Sequence, residues 1–223
     1  MEPTELKILK TLKKDIFGSI FLSEIDGRSV VCRNYAGAGL WIRWLAYFLA
    51  RREAKILKIL KPLACSDKRI PELIHFGSGL CIRSYIEGSS LYQIKTPDVK
   101  FYNDAMDILQ KIHELGVAHN DLEKAANWLV TENNNAAIID FQLAFFSPKK
   151  GRLFEIARQE DIRHLIKNKN FFCSESLTQE ERVILQKRSK ISDIWRKYYK
   201  PVYNFATRKV LKYSDRDNSK YSR

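Results

Sequence analysis

The sequence predicts an α+β chain in two parts: a small β-rich part with one long helix, then a larger, mainly helical part with an embedded hairpin. Three observations lead there. Short β-rich runs broken by glycine turns crowd the stretch before residue 91. Within that stretch, residues 40–60 carry a long helical pattern. Beyond residue 91, helical periodicity dominates. The two parts join at about residues 84–90, and clefts between such parts are common ligand sites.

Each element has a local reason. Residues 16–35, IFGSIFLSEIDGRSVVCRNY, place two β-rich runs around Asp26-Gly27, a dipeptide suited to a two-residue hairpin turn. Residues 8–13 fit a further strand or a short helix. In residues 40–60, REAKILKIL combines strong helix formers with apolar residues at helical spacing. The front half, LWIRWLAYFLA, is apolar nearly all round and broken only by Arg43. It is too short and too charged to span a bilayer. It fits either a packed helix face or an interfacial helix with Trp41, Trp44 and Phe48 dipping into a membrane. Pro62 ends the helix. Residues 73–91 read as two short strands around Gly77-Ser78-Gly79, followed by a polar break at Glu87-Gly88.

In the second part, residues 99–115 put Phe101, Ala105, Ile108, Leu109 and Ile112 on one helical face, with Gly116 as the cap. NWLV and AAIID form a second hairpin around Asn133-Asn134-Asn135. Two more helices are predicted, over residues 153–168 and 178–199. The second opens with a Thr178/Glu181 capping box. The polar tail from about residue 213 is expected to be loose.

Composition narrows the function. With 45% hydrophobic and 29% charged residues, the chain is globular and not disordered. The four cysteines are scattered with no CxxC pair, which argues against zinc and for reduced thiols. The start, MEPTELKILK, shows no signal-peptide pattern, so a cytoplasmic location is expected, or a peripheral one at the inner membrane face. The net charge of +13 is uneven: residues 149–223 hold 20 Lys+Arg against 9 Asp+Glu. A basic face of this kind attracts nucleotides, nucleic acid or anionic lipid, or is simply well solvated. No nucleic-acid-binding or ribosome-binding motif accompanies it.

The chemistry concentrates in HNDLEKAANWLV, residues 119–130, and in AIIDFQLA, which contains Asp140. Phosphoryl transfer needs positioning, metal ions on the phosphates and a carboxylate near the attacking hydroxyl. Magnesium prefers hard oxygen ligands and takes one or two carboxylates from protein. Asp121, Asn127 and Asp140 supply that set of oxygens.

These two segments resemble the catalytic loop and metal-binding segment of the protein-kinase-like superfamily. The resemblance extends over roughly residues 6–169 and is closest to the small bacterial RIO-like kinases and the lipopolysaccharide core sugar kinases. It implies a bilobal kinase-like fold: an N-lobe over about residues 1–83, a hinge at about 84–90, a reduced C-lobe over about 91–205 without a full activation segment, and a basic tail at 206–223. The whole chain is then one kinase-like domain. By the same comparison Asp121 is the catalytic base, and Lys124 contacts the transferred phosphate. Asn127 and Asp140 hold magnesium, while Arg33, paired with Glu53, holds the ATP phosphates. Gly18 and Ser19 cover those phosphates, the backbone from Ser84 to Ile86 faces adenine, and Asp161 in RQEDIRHL braces the catalytic loop.

Several features depart from the family pattern. Asp121 and Asn127 are six steps apart in place of five, and a bulge at Ala125-Ala126 is expected to absorb the extra residue. Arg33 stands where the family has lysine; it keeps the charge but is bulkier. Gly18 is the only glycine of the phosphate loop, and Gln142 replaces the glycine of the metal segment. Only twelve residues separate Asp140 from Leu153, too few for a peptide-docking platform.

The expectation is an ATP- and magnesium-dependent serine/threonine kinase acting on an anionic hydroxyl-bearing acceptor, protein or sugar lipid. The alternatives are a sugar kinase of lipopolysaccharide core and, in another class, a nucleotide-binding pseudokinase scaffold.

Overall fold

The computed structural model describes residues 6–94 and 97–186. The chain divides into two compact units, Met1–Ser176 and Leu177–Arg223. The fold is α+β.

The first unit begins with a five-stranded antiparallel sheet of β1 (Lys7–Asp15), β2 (Gly18–Ile25), β3 (Arg28–Asn34), β4 (Leu73–Gly77) and β5 (Leu80–Ser84), in the order β1-β2-β3-β5-β4. The segment that fits either strand or helix is strand β1. It lies at the sheet edge, and its lysines at positions 7, 10, 13 and 14 discourage edge-to-edge pairing. Asp26 and Gly27 both take positive φ, 49° and 74°, as the two-residue turn between β2 and β3 demands. Val30, Cys32 and Ile82 form the buried centre of the sheet, with Phe21 and Leu80 packed against it.

Helix α1 (Arg43–Ile59) presents Ala46, Ala50, Glu53, Ala54 and Leu57 inward. Pro62 does more than stop it: a second helix, α2 (Lys61–Ser66), starts there, with the proline in its first turn, where a backbone N–H would have no helical partner. Between α2 and β4, Arg69 is gripped by Asp67 and, on the helix α4 (Val99–Glu114), by Asp104 and Asp107. Its carbonyl accepts from Ile138 N–H at 3.0 Å. This clamp joins the sheet region to the helical region.

After β6 (Ser89–Ser90) and α3 (Leu91–Ile94), α4 buries Phe101, Ala105, Ile108, Leu109 and Ile112 on the predicted face. Gly116 at its end has φ 75°, and a side chain there would meet Ser147 O at 2.7 Å. Short strands follow: β7 (Val117–Ala118), paired with β10 (Phe145–Phe146), and the hairpin β8 (Trp128–Val130) with β9 (Ala136–Ile138). Helix α5 (Arg152–Phe172) completes the unit and outruns its predicted end at residue 168.

In the second unit, α6 (Gln179–Gln186) opens with the expected capping box: Thr178 N–H donates to Glu181 Oε2 and Glu181 N–H to Thr178 Oγ1. The remainder of the helix predicted over residues 178–199, and the tail, lie outside the described residues. Among the described residues no helix is long and apolar enough to cross a membrane.

Candidate active site

The hairpin β8–β9 sets the positions of two site residues. Trp128 pairs with Ile138, and Ile139 N–H donates to Asn127 O at 3.0 Å. Asn127 and Asp140 therefore flank the same end of the hairpin. Fully buried Trp128 fixes that end from below and donates its indole N–H to Leu122 O.

The loop from His119 to Asn127 is braced from α5. Asp161 is wholly buried. Its Oδ2 accepts from His119 N–H at 2.7 Å and faces His113 Nε2 at 3.2 Å. Its Oδ1 accepts from Asn120 N–H at 2.8 Å. Three interactions on one buried carboxylate hold the backbone just before Asp121, including Asn120 at φ 64°. The His119 ring packs on Phe141 with centroids 4.8 Å apart, and its Nε2 donates to Ile139 O at 3.1 Å. That links the loop to the segment carrying Asp140.

Asp121 is the centre of the loop. Its Oδ2 accepts from Lys124 Nζ at 2.8 Å and from Asn127 Nδ2 at 3.0 Å; the same amide also reaches Asp121 O at 2.9 Å. The extra residue is absorbed in a short 3-10 turn, Ala125–Asn127, with Asn127 N–H donating to Lys124 O at 3.0 Å. Tightening the chain this way returns Asn127 to Asp121 despite the longer spacing.

Asp140 takes a left-handed conformation (φ 68°, ψ 67°), unusual for a non-glycine residue. Gln142 folds back and donates to Asp140 Oδ1 at 2.8 Å. Burial pushes the Asp140 carboxyl up, but the charges of Arg33, Arg83, His119 and Lys124 outweigh burial and hold it below the ordinary range. Arg33 Nη2 lies 3.9 Å from Asp140 Oδ1.

Behind Asp140, Glu53 of α1 joins two arginines. Its Oε1 accepts from Arg83 Nη1 at 2.7 Å, while Arg33 Nε stays 3.8 Å from Oε2. Glu53 is only 1% exposed, so its charge requires partners. Sequence reasoning named Arg33 and Glu53 but missed Arg83. The signal was there: a lone cation inside the apolar strand LCIRS is a buried charge in need of an acid. Arg52 was missed too. Its guanidinium donates to Ala144 O at 2.7 Å and Leu143 O at 3.1 Å, tying α1 to the segment that follows Asp140.

The residues expected to face a nucleotide lie in the sheet and just past it. Gly18 opens β2 at φ 119°, where a side chain would overlap Asn34 O at 2.1 Å, so this close approach alone requires glycine. Ser19 pairs with Asn34 on β3 and Lys14 on β1. Ser84 exchanges two bonds with Glu72: its N–H donates to Glu72 O and its Oγ accepts from Glu72 N–H, both at 2.9 Å. Tyr85 N–H donates to Ser29 O. Ile86 follows, half-buried.

Acids, an amide and cations thus meet at one place: Asp121, Asn127 and Asp140 beside Lys124 and Arg33. Such a set suits an anionic ligand and a hard cation together. Among the described residues no group of three or more His, Cys, Asp or Glu is placed to hold a metal. No protein-family model matches the chain, and no curated protein matches it at a significant level.

Proposed function

We propose that this chain is an ATP- and magnesium-dependent phosphotransferase of the protein-kinase-like superfamily, moving the γ-phosphate to a hydroxyl acceptor. The observation that carries the reading is the convergence of Asp121, Lys124 and Asn127 in one hydrogen-bonded loop, with Asp140 and Arg33 beside it.

The residues divide the work. Asp121 receives the hydrogen bond of the acceptor hydroxyl and orients it toward the phosphate. Lys124, now on Asp121, is within a side-chain rotation of a phosphate oxygen held next to that carboxylate. Arg33 is only loosely held by Glu53, because Arg83 takes the short bond to that acid. Its fork is therefore open to phosphate oxygens. Magnesium suits the Asp140 carboxylate and the Asn127 carbonyl oxygen, since the Asn127 NH2 is committed to Asp121. Bound there, the ion would neutralise phosphate charge. The Ser84 and Tyr85 amides are engaged, so adenine recognition falls to the Ile86 amide and neighbouring carbonyls.

The acceptor is an alcohol on a protein or on a sugar lipid. The short link from Asp140 to α5 gives no peptide platform and favours a compact acceptor. A second reading, a nucleotide-binding scaffold without turnover, has one observation in its favour. The β1–β2 connection is a tight turn at Ile16 and Phe17, and the Phe17 N–H is taken by Asp15 Oδ1 at 2.9 Å. A loop covering phosphates would offer that amide freely.

Thermal melting with magnesium and ATP tests the reading. At about 100 times Kd a ligand stabilises by about 2.7 kcal/mol, or about 5–10 °C for a chain of this size. Wild type should show the shift and Asp140→Asn should lose it. No shift in wild type would defeat nucleotide binding altogether; a shift without turnover would favour the scaffold.

A further inference from the structure

We propose that the outward face of α1 is a docking surface for an anionic lipid bilayer, independent of whether the chain turns over ATP. Four large apolar side chains stand exposed where α1 begins: Leu40 (82%), Trp41 (58%), Trp44 (69%) and Phe48 (53%). They belong to the run that fitted either a packed face or an interfacial helix, and they are not packed. A soluble surface rarely gathers such groups without a partner.

Charge selects that partner. Trp44, Phe48, Arg51 and Lys55 fall at helical spacing on one exposed stripe, with Arg43 and Lys58 exposed beside it. The only acid of α1, Glu53, points inward and is buried. The outer face therefore has an apolar tip and a basic row behind it, the layout of helices that lie in a membrane interface. Next to this tip, Tyr47 ties α1 to the sheet region by packing on Tyr35 and Phe76, with centroids 5.8 and 6.0 Å apart.

Other occupants fit less well. The chain's own residues 187–223 carry 12 Lys+Arg against 3 Asp+Glu, so they repel this face and would be drawn to the same anionic surface. A second copy docked face to face would oppose the same cations. Single-stranded nucleic acid favours aromatics interleaved with cations. Here the most exposed residue, Leu40, offers nothing to a base, and the cations trail the aromatics.

The test uses the full chain and sedimentation with phosphatidylcholine vesicles, with and without about 30 mole per cent phosphatidylserine, at low salt. Binding only to the anionic vesicles is expected. The Trp41→Ser/Trp44→Ser and Arg51→Glu/Lys55→Glu variants should each partition at least about tenfold less well. Both should melt at the wild-type temperature, because the altered side chains are solvent-exposed. In a Trp195→Phe background, brominated lipid should quench the remaining exposed tryptophans. Wild-type partition by both double variants would overturn the proposal and assign lipid binding to the basic tail. Absence of quenching, or tighter binding of an RNA oligonucleotide that the same variants abolish, would overturn it as well.

Discussion

Replacing Asp161 with Asn removes a charge and one acceptor while leaving the shape almost unchanged. In the native structure two carboxylate oxygens serve two backbone N–H groups, at 2.7 and 2.8 Å, and His113 at 3.2 Å. Asparagine has one acceptor oxygen and one NH2 group. Whichever way its amide is turned, the His119 or the Asn120 amide faces another donor beside the fully buried side chain at 161. An orphaned buried N–H costs about 1–3 kcal/mol, and the bond that remains loses its charge assistance. Together these predict a loss of about 3 kcal/mol, or a melting temperature about 6–12 °C lower for a chain of this length. Circular dichroism melting at neutral pH reads this directly. Because the same bonds fix the backbone ahead of Asp121, turnover should fall more than nucleotide affinity does. A variant melting within about 2 °C of wild type would refute the brace.

Further predictions concern the charges and thiols around the site. Glu53→Gln leaves Arg83 buried without its acid, and should destabilise by about 3–5 kcal/mol in urea titration; an unchanged midpoint would rule out that ion pair. The Asp140 carboxyl is held below the usual value near about 3.9, so its ionised form stabilises the fold above that pH. The benefit is lost only as pH falls through the lower, folded value. Asp140→Asn should therefore be less stable at pH 7, with the gap closing below about pH 4; a constant gap would contradict the assignment. Burial pushes the Cys32 and Cys81 thiols up to about 11 and about 12. Iodoacetamide at about pH 8 should label exposed Cys65 first and Cys173 next, and spare those two while the sheet is folded.

Much of this was legible because it is local. The Asp26-Gly27 turn, the apolar face of α4 and the Thr178 capping box each depend on residues a few positions apart. The candidate site was legible in its letters, since Asp121, Asn127 and Asp140 bracket short strands. Less visible were the contacts that cross the chain. Arg83 finds Glu53 thirty residues earlier, and Arg52 reaches the Leu143 and Ala144 carbonyls some ninety residues later. Neither distance leaves a periodic trace. The strand state of β1 was hidden because its lysine-rich pattern fits an exposed helix as well as a sheet edge, and pairing with β2 decides between them. Pro62 was read only as a stop, because sequence alone does not say whether a new helix begins at the same place.

The most direct measurement is transfer of labelled γ-phosphate from ATP, with magnesium, to the protein and lipid fractions of a lysate. Wild type, Asp121→Asn and Asp140→Asn are compared at equal concentration and matched folding. Wild type should label an acceptor or release phosphate, and both variants should fall at least about 100-fold, the scale of losing a positioned acid–base or metal-holding group. Equal label from all three proteins would contradict the roles given to Asp121 and Asp140.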